Sequence, residues 1–134
     1  MKKILIVLLA MVILAACASS SSPSIQGQWE LVSYGPPSGQ ISAAPDVETS
    51  IEFDSEGNIS GNVGCNGFGG DYTVDGGTIT FGPVISTMMY CEAVAEQESS
   101  TLAVFHETVG FVLDGDTLTI TSADGAMSIV LARK

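Results

Sequence analysis

The sequence predicts a mostly β domain, an antiparallel barrel of about eight strands with one inserted helix. Short runs with alternating apolar side chains, such as Trp29 and Leu31, follow one another along the chain. Tight turns rich in glycine and aspartate, for example Asp114-Gly115-Asp116, join most of these runs. One segment, residues 93–109, has helix formers instead of turn residues. Eight short strands joined in this way are expected to close, because closure leaves no exposed sheet edge.

The first 16 residues have the layout of a bacterial lipoprotein signal peptide. Lys2 and Lys3 precede an apolar run from Ile4 to Ile13, which is too short for an ordinary membrane span. The following Leu14-Ala15-Ala16-Cys17 resembles a lipobox, in which Cys17 carries diacylglycerol and its freed amine carries a further acyl chain such as palmitate. Two or three acyl chains anchor a protein stably, at about 0.8 kcal/mol per buried methylene. A plain signal peptide with an incidental cysteine is the alternative.

Processing before Cys17 divides the chain into three parts. Residues 1–16 are the signal peptide, residues 17–26 are an acylated cysteine with a polar tether, and residues 27–134 are the folded domain. Ala18 differs from the aspartate that commonly retains lipoproteins at the inner membrane. We therefore expect a lipid-anchored protein of the cell envelope, held in the outer membrane and facing the periplasm.

The mature chain is strongly acidic. After removal of residues 1–16, two basic side chains, Arg133 and Lys134, stand against all fifteen acidic ones, a formal net charge of −13. Such a field repels phosphate backbones and excludes nucleic acid as a partner. It favours a basic envelope protein or divalent cations, although acidity can also serve only to keep an exported protein soluble.

The first half of the domain is predicted to contain three strands and a long loop. The alternation in Gly27–Tyr34 is typical of a first strand. Residues 35–47 contain three prolines and form the loop at the lip of the barrel. Residues 50–54 and 58–64 are two short strands around the turn Ser55-Glu56-Gly57.

The second half is predicted to begin with a glycine-rich corner. Glycines of residues 61–70 allow positive φ angles or close backbone approach, and Asn66 is suited to hold the corner by bonding to the backbone. A hairpin (72–74 and 78–81), an irregular segment (83–90), the helix (93–109) and three strands (near 110–113, 117–122 and 126–132) follow.

The predicted helix carries an apolar stripe of Leu102, Phe105 and Val109, with Glu98 four residues before Leu102 on the same side. This stripe is expected to lie on one end of the barrel.

Two blocks, GCNGFGGDY from Gly64 to Tyr72 and TMMYC from Thr87 to Cys91, resemble the signature of the META domain family, also called HslJ-like. One extra residue precedes Tyr72, and Cys91 comes one residue late. The resemblance covers residues 27–132 and implies a META-type, calycin-like barrel. It implies structural roles for seven positions: Gly64, Asn66, Phe68, Tyr72, Thr87, Met88 and Glu98.

The resemblance also implies a function. Related proteins are connected with heat shock, antibiotic tolerance, and secretion or motility, which suggests a stress-response or envelope-maintenance protein that binds without catalysis. A glutamate occupies the matching helix position in the family, so we expect Glu98 to act as a structural cap for the corner at Asn66. A functional acid is the alternative for this residue.

With Cys17 acylated, Cys65 and Cys91 remain in an oxidising compartment, which predicts one disulfide. Two free buried thiols are the alternative. A zinc site is disfavoured, because two cysteines without a nearby histidine do not complete one.

Catalytic and cofactor signatures are missing from the sequence. His106, the single histidine, stands beside Glu107 off the predicted apolar stripe, which favours a solvated residue over a general base. Acidic turns such as Asp114-Gly115-Asp116 lack the spaced ligands of a calcium loop. We expect no enzyme activity, no metal and no cofactor.

Two other functions stay open at this stage. One is a lysozyme-inhibitor type of lipoprotein, although such inhibitors insert a loop bearing serine and lysine, and the mature chain has no lysine before Lys134. The other is a lipocalin-like carrier of a small apolar ligand, which requires an open barrel cavity.

Overall fold

The computed structural model describes residues 24–134. The predicted signal peptide, Cys17 and most of the tether lie outside the described residues. Ten strands and one α-helix, preceded by a 3₁₀ turn at Glu92–Val94, make up this part of the chain. They are β1 (Gly27–Gly35), β2 (Ile41–Ser42), β3 (Ser50–Phe53), β4 (Asn58–Asn62), β5 (Gly67–Asp75), β6 (Thr78–Phe81), β7 (Ile85–Ser86), α1 (Ala95–Val104), β8 (Thr108–Asp114), β9 (Thr117–Thr121) and β10 (Ser128–Arg133).

Eight of the strands form a closed antiparallel barrel. Their order around the barrel is β1, β3, β4, β5, β6, β8, β9 and β10, and β10 pairs with β1 to close it. The two-residue strands β2 and β7 pair with β1 and β5 outside this cycle. The predicted mostly β barrel of about eight strands, with one helix after its fifth strand, is therefore confirmed.

The closing pair of strands brings the two ends of the domain together. Trp29 of β1 lies opposite Arg133 of β10, and the Arg133 guanidinium stacks 4.2 Å from the Trp29 ring centroid. Arg133 also donates hydrogen bonds to the carbonyl oxygens of Gln26 (2.9 Å) and Ser24 (3.0 Å). The chain thus enters and leaves the barrel at the same end.

Side chains fill the barrel interior. Trp29, Ile51, Phe53 and Leu118 each have 0% exposure and belong to one contiguous apolar core. The buried Trp29 indole donates its N–H to the carbonyl oxygen of Ile25 at 2.8 Å, which satisfies its one polar group. Interdigitated side chains of this kind are typical of an eight-stranded barrel without an internal ligand.

The helix is shorter than predicted and buries a different side. It ends at Val104 rather than at Val109, because the chain turns through a positive φ of 60° at Glu107 and continues as β8. Val109 is buried in that strand, whereas α1 buries Gln97, Thr101 and Val104. The apolar stripe of Leu102, Phe105 and Val109 was wrong as a helical feature, because only Leu102 lies within α1. Two of the positions that α1 buries are instead polar, and Gln97 and Thr101 both make internal hydrogen bonds there.

Glycine allows two close approaches between neighbouring backbone segments, one at β4 and one at β5. A Cβ on Gly61 would overlap the carbonyl oxygen of Ser50 in β3, and one on Gly70 would lie 2.8 Å from the carbonyl oxygen of Pro83. The glycine-rich segment therefore runs mainly as paired strands, and the corner itself is confined to residues 63–66.

Candidate functional site

The two sequence blocks of the family signature meet at one end of the barrel. A disulfide joins Cys65, in the corner after β4, to Cys91, just before the 3₁₀ turn, with 5.9 Å between their Cα atoms. The bond closes a loop whose ends are 26 residues apart in sequence. It fixes the segment that follows β7 against the corner, so both are held as one unit.

Asn66 ties the same two segments together through its side-chain amide. Its Oδ1 accepts hydrogen bonds from the Thr87 hydroxyl (2.8 Å) and the Met89 backbone N–H (2.8 Å). Its Nδ2 donates to the Met89 carbonyl oxygen (2.9 Å) and to Oε1 of Glu98. All four hydrogen-bonding positions of a buried primary amide are thus occupied. The amide pairs with Met89 on both its N–H and its C=O, as a neighbouring β-strand would.

Glu98 caps the corner from the helix. Its Oε2 accepts the backbone N–H groups of Cys65 (2.8 Å) and Asn66 (2.7 Å), while its Oε1 accepts the Asn66 side chain. Burial raises the pKa of this carboxyl, but the hydrogen bonds from Asn66 and Cys65 outweigh burial, so the pKa lies below its ordinary value. Glu98 is therefore ionised at neutral pH, and its carboxylate accepts hydrogen bonds from two backbone N–H groups that the corner otherwise leaves unpaired.

Two polar residues that the sequence reasoning missed complete this arrangement. Gln97 is 2% exposed; its Nε2 donates to the Val63 carbonyl oxygen (2.8 Å), and its Oε1 accepts the Ala44 N–H (2.8 Å). Asn62 accepts the Gly64 N–H (2.9 Å) and donates to the Cys65 carbonyl oxygen (3.2 Å). For Gln97, the sequence showed only that it precedes Glu98 on a predicted helix. That position does not indicate whether the amide is buried or solvated.

Two of the three further signature residues, Gly64 and Phe68, support the corner by packing, whereas Tyr72 lies near the turn between β3 and β4 at the other end of these strands. Gly64 lies against the 3₁₀ turn, where a Cβ would come within 3.0 Å of the Val94 side chain. Phe68 is buried and stacks on Phe105 with ring centroids 5.4 Å apart. Tyr72 packs edge-on against Phe53 at 5.0 Å.

The Tyr72 hydroxyl donates to the Asp54 carbonyl oxygen at 2.7 Å. Burial, with a smaller contribution from the Asp54 charge, raises the pKa of Tyr72 above its ordinary value.

Met88, the remaining signature residue, is 96% exposed. Its neighbours Met89 and Tyr90 are also exposed, and so is Ile85 of β7. The sequence blocks gave no sign of this, because methionine and tyrosine between a threonine and a cysteine fit a core segment equally well. Residues 85–91 are called the exposed loop below.

A groove of about 650 Å³ runs between the exposed loop and α1, and is called the loop–helix groove below. Met88, Met89 and Tyr90 line one side, Glu96, Ser99 and Leu102 line the other, and the disulfide, Asn66 and Glu98 lie at its floor.

The described part of the chain carries its histidine at the surface and assembles no metal centre. His106 is exposed, and its Nδ1 lies 3.8 Å from the equally exposed Glu107 carboxylate. No group of three or more histidine, cysteine or acidic side chains within residues 24–134 is placed to hold a metal ion. In the same residues, no helix combines the length and the apolar character needed to cross a bilayer.

The closed barrel, the disulfide-linked corner and the helix clamp define a class of small β-barrel domains. A model of the META domain matches residues 23–134, and the chain belongs to that family. No curated protein matches the sequence significantly.

Solved structures share the fold. A protein from Burkholderia xenovorans determined by NMR is 19% identical, with a TM-score of 0.66 and coverage of 81% of this chain and 82% of that one. A second NMR structure is also 19% identical, with a TM-score of 0.62 and coverage of 80% and 88%. A DUF4847 family protein from Bacteroides vulgatus is 15% identical, with a TM-score of 0.57 and coverage of 81% and 93%. At these identities the likeness establishes the fold alone.

Proposed function

We propose that this protein is a non-catalytic binding module of the cell envelope. In this proposal a lipid on Cys17 anchors it in the outer membrane, facing the periplasm, and it works in the stress response or in envelope maintenance. The observation that carries the proposal is the exposed loop, which presents Met88 at 96% exposure from a segment fixed by the Cys65–Cys91 disulfide and by Asn66. Apolar side chains held rigidly in water are typical of a contact surface for another molecule.

The hydrogen bonding of the polar residues supports binding rather than catalysis. Asn66 uses every donor and acceptor of its side chain, and Glu98 accepts three hydrogen bonds. General acid–base catalysis works best when the pKa lies near the operating pH. The pKa of Glu98 is instead lowered, so its carboxylate serves as an anchor for the corner.

The two alternatives have unequal support. A lipocalin-like carrier would need an open interior, and the interior is occupied by residues such as Trp29 and Phe53. A lysozyme inhibitor stays the second candidate, since a rigid loop on an acidic body suits a cationic enzyme. Lys134, the one lysine among the described residues, lies beside Glu48 at 3.6 Å and not in the exposed loop.

Anchoring is tested by producing the full-length chain in a bacterial host with labelled palmitate. We expect label and outer-membrane fractionation for the native chain, and neither for Cys17→Ser. A native chain that stays unlabelled and soluble would contradict the anchor while leaving the binding role untouched.

Binding is tested by immobilising the purified protein and passing envelope extract over it, with free Tris-blocked resin as the blank. Retention of a defined envelope protein supports the proposal. Tight inhibition of lysozyme in a parallel titration would favour the second candidate. Hydrolytic turnover that disappears in Glu98→Gln or His106→Ala would overturn the non-catalytic assignment.

A further inference from the structure

The exposed loop concentrates apolar side chains in water. Ile85, Met88, Met89 and Tyr90 are 74%, 96%, 65% and 80% exposed. They are half of the large apolar residues exposed in residues 24–134, and they fall within six positions, whereas the other four are scattered over the barrel. Clustering of this kind distinguishes an interaction surface from the single exposed apolar residues found on most proteins.

The loop is also fixed in place. The Thr87 N–H donates to the Gly67 carbonyl oxygen (3.0 Å), Met89 pairs with the Asn66 amide, and Cys91 is covalently bound to Cys65. A surface that is already ordered loses little conformational freedom when a partner binds. Methionine adds adaptability at the contact itself, because its unbranched thioether fits partners of varied shape.

The surroundings of the loop are negatively charged. Every residue between positions 82 and 107 that is charged at neutral pH is acidic, and Glu96 lines the loop–helix groove. The two basic residues of the described chain form ion pairs elsewhere: Arg133 Nε lies 3.4 Å from Oδ1 of Asp116, and Lys134 Nζ lies 3.6 Å from Oε1 of Glu48. The groove therefore combines apolar walls with a negative potential that no nearby cation offsets.

Strand register places the groove away from the point where the tether enters. Gly27 lies opposite Phe53, and that end of β3 carries the turn to β4, while Ser50 at the other end lies opposite Asn62, next to the corner. Ser24 is thus at one barrel end and the groove at the other. An anchored domain would turn the groove away from its own membrane. A second copy would bring two acidic rims together.

We infer that the loop–helix groove binds a basic amphipathic segment of a partner protein. Aliphatic side chains of that segment contact Met88, Met89 and Leu102, while its lysines or arginines lie beside Glu96 and the neighbouring acidic residues. This mode corresponds to an amphipathic helix laid in an apolar groove with an acidic rim. The inference rests on the proposed function, since it names the partner chemistry of the binding module.

The test uses the full-length protein in neutral-lipid nanodiscs and a fluorescent synthetic helix of about 18 residues with leucines on one face and lysines on the other. Two comparison peptides keep the length: one scrambles the same residues, and one replaces lysine by glutamate. Anisotropy gives affinity, with empty nanodiscs as the blank. We expect binding of the first peptide only, weakening as salt is raised.

Matched variants locate the contact. The double change Met88→Ser with Met89→Ser should weaken binding about tenfold or more. Val112→Ser is the matched control, because Val112 is 66% exposed and Met89 is 65% exposed, and it should leave binding unchanged. Glu96→Gln should weaken binding more than Glu56→Gln, which changes an exposed glutamate on the turn at the opposite end. Since all five changed positions are exposed, the variants should fold, and circular dichroism checks this.

Several results would overturn the inference about the groove, and each points to a different explanation. Binding that is equally sensitive to Glu56→Gln and insensitive to the methionine change would mean diffuse charge attraction and overturn the inference. Dimers that form with rising concentration and are lost in the methionine variant would show that a second copy occupies the groove. Adsorption of the unacylated Cys17→Ser protein to vesicles would show that the groove contacts a membrane. If an envelope partner is retained but neither the peptide nor the methionines matter, the proposed function stands and this inference falls. If nothing is retained, both fall.

Discussion

Glu98 on the helix and Asn66 in the barrel corner, 32 positions apart, share two hydrogen bonds: one from the Asn66 backbone N–H and one from its side-chain amide. The same Asn66 amide pairs with the backbone of Met89. One side-chain pair therefore connects three segments that sequence separates widely: the corner, the exposed loop and α1.

Replacing Glu98 by alanine should lower the free energy of unfolding by about 1–3 kcal/mol, because the backbone N–H groups of Cys65 and Asn66 lose their acceptor. Urea denaturation measures the change. Glu96→Ala, two positions earlier and exposed, is the control and should stay within about 0.5 kcal/mol of the native protein. Equal losses in both variants would mean that Glu98 contributes only general helix charge.

Acid should weaken the contribution of Glu98. Its folded-state pKa is lowered, so its stabilising effect is complete above its ordinary pKa of 4.5 and is lost as pH falls through the folded value. The stability difference between the native protein and Glu98→Gln should therefore shrink below about pH 4.5. Urea titrations at a series of pH values measure it. A difference that grows on acidification would contradict the lowered pKa.

Loss of the disulfide should cost about 3–4 kcal/mol in the chain-entropy account, since the bond closes a loop whose ends are 26 positions apart. The double change Cys65→Ser with Cys91→Ser is compared with the native protein in urea, with and without reductant. Reductant should destabilise the native protein and leave the double variant unaffected. Cys17→Ser is the control for a cysteine outside the bond, and a similar loss in that variant would refute the assignment.

Two glycine-to-alanine changes should have opposite effects. Gly61→Ala places a methyl group on the Ser50 carbonyl oxygen and should destabilise the barrel by more than about 2 kcal/mol. Gly39→Ala meets nothing within 4 Å and should be neutral or stabilise by up to about 1 kcal/mol through the unfolded chain. Thermal denaturation ranks the two against the native protein. Equal tolerance of both alanines would show that β3 and β4 separate easily.

The fold could be predicted largely because strand signals in this chain are local. Alternation in segments such as residues 117–122 and the turns between them specify antiparallel neighbours, and closure follows from the need to protect edges. The placement of one helix after the fifth barrel strand was also accessible, since only residues 93–109 lack turn formers.

The details of the helix and its clamp were not accessible, for a physical reason. A buried Gln97 has the same sequence signature as a solvated one, and its burial depends on partners far away in sequence, the Val63 carbonyl oxygen and the Ala44 N–H. The predicted stripe consequently left out Gln97 and Thr101, which α1 buries, and Val109 was counted in the helix although it pairs with Ile79 in the barrel. Long-range hydrogen bonds decide such positions, and periodicity does not report them.

The pairing of β1 with β10 has a practical outcome for rearranging this chain. Since Lys134 donates its backbone N–H to the Gln28 carbonyl oxygen, a few added residues could splice the last strand directly into the first. Fresh ends could then be cut at the tight Asp75–Thr78 turn between β5 and β6. Such a circularly permuted protein would keep every strand pairing of the barrel. The fold of this domain therefore depends on which strands pair and not on where the chain begins.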